Sequence, residues 1–322
     1  MFGTAIQPEK KRLKTVIGDL GISTALLLEV ILFSVFSPYF FTAENILNVT
    51  LQTSITAIIA AGMTFVIITA GIDLSVGAMV AFSGVVVTSI LKLGIPFSFS
   101  FPLCLLAGIL MGTCSGSLAG LFVTRFNITP FIVTLALMTI LRGGAYIYTG
   151  GRPIWGLPEE FSFLGSGRVF GIPVPTIVML CIYLCAFVVL RHTKFGRYVY
   201  AVGGNKEAAR LAGININRVL WSVYLICGVL SAISGVLLAS RMNSGQPNAG
   251  LMYEMDVIAA VVVGGTSLFG GRGSIVGTFL GAMLIGVLRN GLNLLNVGSY
   301  VQMVVLGVVI LLAVLLDQLR GR

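Results

Sequence analysis

The sequence predicts an all-α polytopic membrane protein with about ten transmembrane helices and both termini in the cytoplasm. Three observations lead there. The chain of 322 residues is 57% hydrophobic and only 10% charged, with a mean hydropathy of +1.03. A soluble domain carries about 25% charged residues, so water could not solvate this surface and the bilayer must. The apolar residues fall in runs of about 20, the length that crosses a bilayer as a helix. The net charge of +9 is gathered in short basic stretches between those runs. That is the pattern of inward-facing loops, not of a nucleic-acid stripe. No basic domain with interleaved aromatics occurs, which excludes nucleic acid and leaves the lipid bilayer as the first partner.

The runs are 16–37, 53–71, 74–91, 98–123, 128–148, 172–190, 219–240, 255–270, 274–296 and 300–316, the eighth short and glycine-rich. Lys10, Lys11, Arg12 and Lys14 precede the first, Arg125 follows the fourth, Arg272 the eighth, and Arg320 and Arg322 the tenth. Arg191, Lys194, Arg197, Lys206, Arg210 and Arg218 crowd the loop 191–218. With alternating spans these all fall on one side, which the positive-inside rule makes the cytoplasm. The opening "EKKRLK" before a long apolar run reads as a retained signal anchor. The expected organisation is a cytoplasmic segment 1–15 and a single transmembrane domain 16–318. Its largest loops are 149–171 outside and 191–218 inside. "GIDLSVG" (71–77) and "GRGSIVG" (271–277) agree at too few positions to mark a duplication.

Several groups of residues bear on function. Gly108, Gly112, Gly116 and Gly120 recur every four residues along the fourth span, and Gly273, Gly277 and Gly281 along the ninth. Such ladders let helix backbones approach closely, within one subunit or across a dimer seam. Arg289, Asn290, Asn293 and Asn296 form a polar stripe on the outer half of the ninth span. A polar stripe faces protein or water rather than lipid, and amides suit sugar hydroxyls because they donate and accept. Interhelical hydrogen bonding is the other reading. Asp73 and Ser75 lie in "GIDLS" between two spans with almost no loop. Asp73 either caps the third span or sits at a break lining a cavity. Glu29 lies mid-span, where an ionisable group is expensive.

The absences narrow the chemistry. No GxxxxGK[ST] occurs, so ATP is not bound through a P-loop. Cys104, Cys114, Cys181, Cys185 and Cys227 lie in apolar runs without a CxxC, and the lone His192 lies outside the run 172–190 that holds Cys181 and Cys185. Metal and cofactor sites are therefore not expected, nor is a catalytic centre.

"GGNKEAARLAGI" (203–214) is charged and helix-prone in an otherwise apolar chain. It predicts a short cytoplasmic helix over 204–213. Gly203 and Gly204 bound it at one end. Gly213 lies where a helix end adopts left-handed geometry. Alanines at 208, 209 and 212 leave a flat face for another protein.

Glu207-Ala208-Ala209-x-x-x-Gly213 resembles the EAA…G loop of ABC importer permeases, without the proline-containing tail many of those loops carry. "GMTFVIITAGIDLSVGAMVAFSG" (62–84), "HTKFGRYVYAVGGNKEAARLAGI" (192–214), "YEMDVIAAVVVGGTSLFGGRGSIVGT" (253–278) and "NGLNLLNVGSY" (290–300) are similar to permeases of the ribose/xylose/arabinose/galactose importer class, nearest its ribose-type members. The resemblance is collinear over nearly the whole chain. It implies a homodimeric permease that does no covalent chemistry, a cytoplasmic ATPase with two nucleotide-binding domains, and a periplasmic sugar-binding protein. It also implies that Gly204, Asn205, Glu207, Ala208, Ala209 and Gly213 form the helix that docks on the ATPase. Another sugar or an autoinducer as substrate, or an ion-coupled secondary transporter, are the alternative readings.

Overall fold

The structure, a computed structural model, describes residues 8–321, with side chains over 21–312, 314 and 315. Of the expected segment 1–15, residues 1–7 lie outside the described residues. So do the side chains of Lys10, Lys11, Arg12, Lys14, Arg320 and Arg322.

A bilayer offers no partner for backbone N–H and C=O groups, so spanning segments satisfy them internally as helices. The helices are α1 (Pro8–Phe36), α2 (Ala43–Ile68), α3 (Val76–Leu91), α4 (Phe97–Arg125), α5 (Pro130–Thr149) and α6 (Glu159–Ser166). A small hairpin, β1 (Arg168–Val169) and β2 (Ile172–Pro173), leads into α7 (Val174–His192), α8 (Lys194–Gly204) and α9 (Lys206–Leu211). α10 (Ile216–Arg241), α11 (Tyr253–Val263), α12 (Ile275–Leu294) and α13 (Ser299–Gly321) complete the order.

Among the described residues, six helices are long and apolar enough to cross a membrane: α2, α4, α5, α7, α10 and α12. Ten were expected, and the difference has local causes. α3 has 16 residues because the chain breaks over 69–75 before it. α11 has 11 residues, a rise of only about 16 Å. Its apolar run continues to residue 270, but Gly265 takes φ +82° and ends the helix. The apolar parts of α1 and α13, Gly21–Phe36 and Ser299–Leu312, are likewise shorter than a full span. α2, conversely, starts ten residues before its apolar run. Thr42 caps it by accepting from Asn45 N at 3.3 Å.

α2 and α10 are the central helices: 83% and 67% of their apolar windows are buried, against 22% for α4 and α5, which keep an outward face for lipid. Hydrogen bonds tie the centre together. Ser234 Oγ donates to the Ile55 carbonyl at 3.1 Å, Tyr183 OH to the Ala57 carbonyl at 3.0 Å, and the Thr64 and Thr278 hydroxyls meet at 2.8 Å. These bonds matter because lipid supplies no hydrophobic drive between helices.

The α4 glycine ladder faces α10 of the same chain. A Cβ at Gly108 would meet Val236, at Gly112 the Gly228 carbonyl at 2.5 Å, at Gly116 the Leu225 Cα at 2.8 Å and at Gly120 the Trp221 Cα at 2.8 Å. Gly277 and Gly281 press the same way on Gly264 and Ala260 of the α11 end. Gly273 is not helical. It precedes α12 and packs on Ile68 and Thr266.

Three segments meet at one end of the bundle. Gly271 N donates to the Ile68 carbonyl at 2.8 Å, and Tyr200 OH of α8 donates to the Gly273 carbonyl at 3.0 Å. Gly203 is wedged between Ile68 and Gly271. From the opposite end, 242–252 runs back along α3. Gly245 lies against Thr88 and Gly250 against Gly77.

Candidate functional site

α9 is a six-residue helix, shorter than the 204–213 expected. Gly203 and Gly204 close α8 rather than open α9, because α8 runs through them to Asn205. The break is Asn205, whose Oδ1 accepts from Ala208 N at 3.0 Å and caps α9. The helix ends where the sequence indicated. Gly213 takes φ +79°, its N donates to the Arg210 carbonyl at 3.0 Å, and Ile214 N donates to the Ala209 carbonyl at 3.0 Å. Only Ala209 is buried; Ala208 and Ala212 are exposed together, and Leu211 beside them is 90% exposed. Glu207 and Arg210 pair at 3.5 Å in the open, a contact of little energetic weight.

The four polar residues of the ninth span separate. Asn290 turns inward and pairs with Asn45 of α2 by reciprocal amide bonds of 2.9 Å. Arg289 points to α11, where its Nη2 contacts both Asp256 oxygens at 2.6 Å. Its side chain stays 39% exposed. Asn293 is exposed and accepts from Gln302 Nε2 of α13 at 2.8 Å. Asn296 lies beyond the end of α12 with φ +55°. Asp73 and Ser75 lie elsewhere, at the break before α3. Asp73 is 1% exposed, and its Oδ1 accepts from Ser75 N at 2.9 Å and Ser75 Oγ at 2.6 Å. Ser75 is the residue at the N-cap position of α3.

Two embedded charges escaped the sequence reading, which singled out only Glu29 mid-span and Asp73 between two spans. Asp256 is 6% exposed in α11. Its signal was a carboxylate just inside the run 255–270, where an ionisable group wants a partner. Arg142 lies within α5 and its Nη1 donates to the Pro247 and Ala249 carbonyls at 2.9 and 2.6 Å. It thereby pins the 242–252 segment against α3 and α5.

Residues 45–314 match the family described as branched-chain amino acid transport system / permease component. The chain belongs to this permease family. The permease is 46% identical over 301 residues to the ribose import permease protein of Haemophilus influenzae, covering 92% of each chain. It is 47% identical to that of Bacillus subtilis over 320 residues, 98% of each. The D-allose transport system permease protein of Escherichia coli is 37% identical over 303 residues, 94% of this chain and 92% of the relative. No solved structure gives a significant match. The permease is a multi-pass protein of the bacterial inner membrane, a transporter component.

Proposed function

We propose that this permease forms the translocation pathway of an ATP-driven ABC importer for a monosaccharide, ribose before others. The observation that carries the substrate is the similarity to ribose import permeases along nearly the full length of both chains. Its domain is 16–318, with ten spans formed by α1 to α5, α7 and α10 to α13. Both termini are cytoplasmic, in line with the basic loop 191–218. The partners are a cytoplasmic ATPase with two nucleotide-binding domains, a periplasmic sugar-binding protein and a second copy of the permease.

α9 is the ATPase contact, through Asn205, Glu207 and the exposed alanines. Its position supports this: it continues from α8, whose Gly203 is wedged against the α2 end and the 264–274 loop. A push on α9 would therefore reach both interrupted helices, α3 and α11. Arg289, Asn293 and Asn296 line the pathway, and Asn290 and the glycine ladders hold its walls. The permease binds sugar weakly, since capture belongs to the binding protein. The test is uptake of labelled ribose by cells expressing the full system, with ATP held constant while an uncoupler collapses ion gradients. Uptake persists if the reading is right. Uptake that collapses with the gradient refutes it in favour of ion coupling.

A further inference from the structure

Phe170 stands at the tip of the hairpin between β1 and β2 and is 100% exposed. Val169 pairs with Ile172, so Phe170 and Gly171 form a two-residue turn. Both take positive φ, +51° and +80°. A tight hairpin of this kind needs left-handed backbone at both positions, and its usual first residue is asparagine, aspartate or glycine. Phenylalanine is strained there, and full exposure leaves it no packing within the chain to offset the strain. The base of the hairpin is set. Val174 N donates to the Gly167 carbonyl at 2.9 Å, and Pro173 is buried. A bulky apolar side chain is thus held out at a defined place where the fold does not use it. Val169 and Ile172, also exposed, flank it.

Its place narrows what could cover it. α7 runs from the hairpin to α8, so the hairpin and α9 lie at opposite ends of a span. Thr176, in the first turn of α7, bonds Thr50 of α2 at 3.2 Å. Thr50 precedes the apolar run 53–71, and β2 precedes Thr176 and packs beside α2. The hairpin therefore sits level with the polar start of α2 and not with its apolar run. A rigid aromatic outside the apolar band suits a soluble protein partner, since such side chains anchor interfaces by filling a partner's pocket.

We infer that the Phe170 hairpin is the docking point for the sugar-loaded binding protein, with the phenylalanine entering an apolar pocket on that protein's surface. The inference rests on the importer reading above, which brings that protein to the end opposite α9.

The test uses proteoliposomes holding the permease, its ATPase and ATP inside. Binding protein loaded with labelled D-ribose is titrated outside, and initial uptake is followed. Phe170→Asn raises the half-saturating concentration of loaded binding protein about ten- to thirty-fold, the effect of one lost aromatic anchor. Its unfolding temperature does not fall, because asparagine accepts the left-handed backbone more readily than phenylalanine. Unchanged half-saturation overturns the inference alone, as does a lowered unfolding temperature, which would make Phe170 a structural residue. In a background without the native cysteines, Phe170→Cys reacts with a membrane-impermeant thiol reagent added outside, and loaded binding protein protects it. No labelling in the absence of binding protein means that lipid or a second copy covers the tip, and labelling without protection means that nothing docks there; either overturns the inference. Absence of ATP-driven ribose uptake by the wild type overturns the importer reading and this docking point with it.

Discussion

Gly203 and Gly204 are neighbours in sequence and close the same helix, yet the structure gives them opposite sensitivities. A Cβ at Gly203 would collide with the Ile68 carbonyl and lie 2.7 Å from Gly271 N. Both atoms are main chain, and they are the two ends of the 2.8 Å hydrogen bond joining the α2 end to the 264–274 loop. Gly203→Ala must part them. Overpacking costs about 1–3 kcal/mol and the strained hydrogen bond about 1 more, so the loss is about 2–4 kcal/mol. Gly204→Ala meets nothing within 4 Å. It instead gains up to about 1 kcal/mol of helix propensity. The assay is thermal unfolding of the two purified variants beside wild type, with ATP-driven uptake measured in parallel. Gly203→Ala unfolds earlier and transports poorly, while Gly204→Ala is at least as stable as wild type. Equal stability of the two variants would refute the claim that α8 is wedged against the α2 end.

Asp256→Asn leaves Arg289 without its counter-charge, and because that side chain is partly solvated the cost is about 1–2 kcal/mol. The Asp256→Asn/Arg289→Gln double variant recovers part of it in a thermal-unfolding cycle. Asn290→Ala leaves the buried Asn45 Oδ1 without its donor, while Asn45 Nδ2 keeps its 2.8 Å bond to the Phe40 carbonyl, and destabilises by about 1–3 kcal/mol in the same measurement. In a background without native cysteines, Asn293→Cys reacts with a water-soluble thiol reagent and Asn290→Cys does not. Labelling in the reverse order would contradict the assignment of Asn293 to the pathway and Asn290 to the wall.

The parts of the fold legible in the sequence are those governed by local chemistry. Apolar runs located the long helices because solvation by lipid acts residue by residue. The break at 71–75 and the left-handed Gly213 were legible because short polar turns and C-terminal glycines have local causes. The start of α2 was not legible, since "AENILNVTLQTS" is polar and yet helical, bound to neighbours rather than to lipid. Nor was α8, where the helix runs through two glycines because Gly203 has to admit another backbone. The Arg289–Asp256 pair joins residues 33 apart on two helices. The grip of Arg142 on 247 and 249 spans more than a hundred residues. Both depend on how α5, α11 and α12 pack, which no periodicity within one span reveals. The stripe of polar residues on α12 was visible as a stripe, but its division into an inward asparagine, an ion-paired arginine and an exposed asparagine was not.

The most direct test of the coupling account is ATP-dependent ribose uptake by reconstituted permease, ATPase and binding protein when Gly213 is replaced by leucine. Leucine at φ +79° strains the end of α9, and its side chain enters open space on the face we propose for the ATPase. The account predicts normal membrane abundance, ATP hydrolysis that no longer responds to loaded binding protein, and loss of uptake. Undiminished uptake by Gly213→Leu would contradict it.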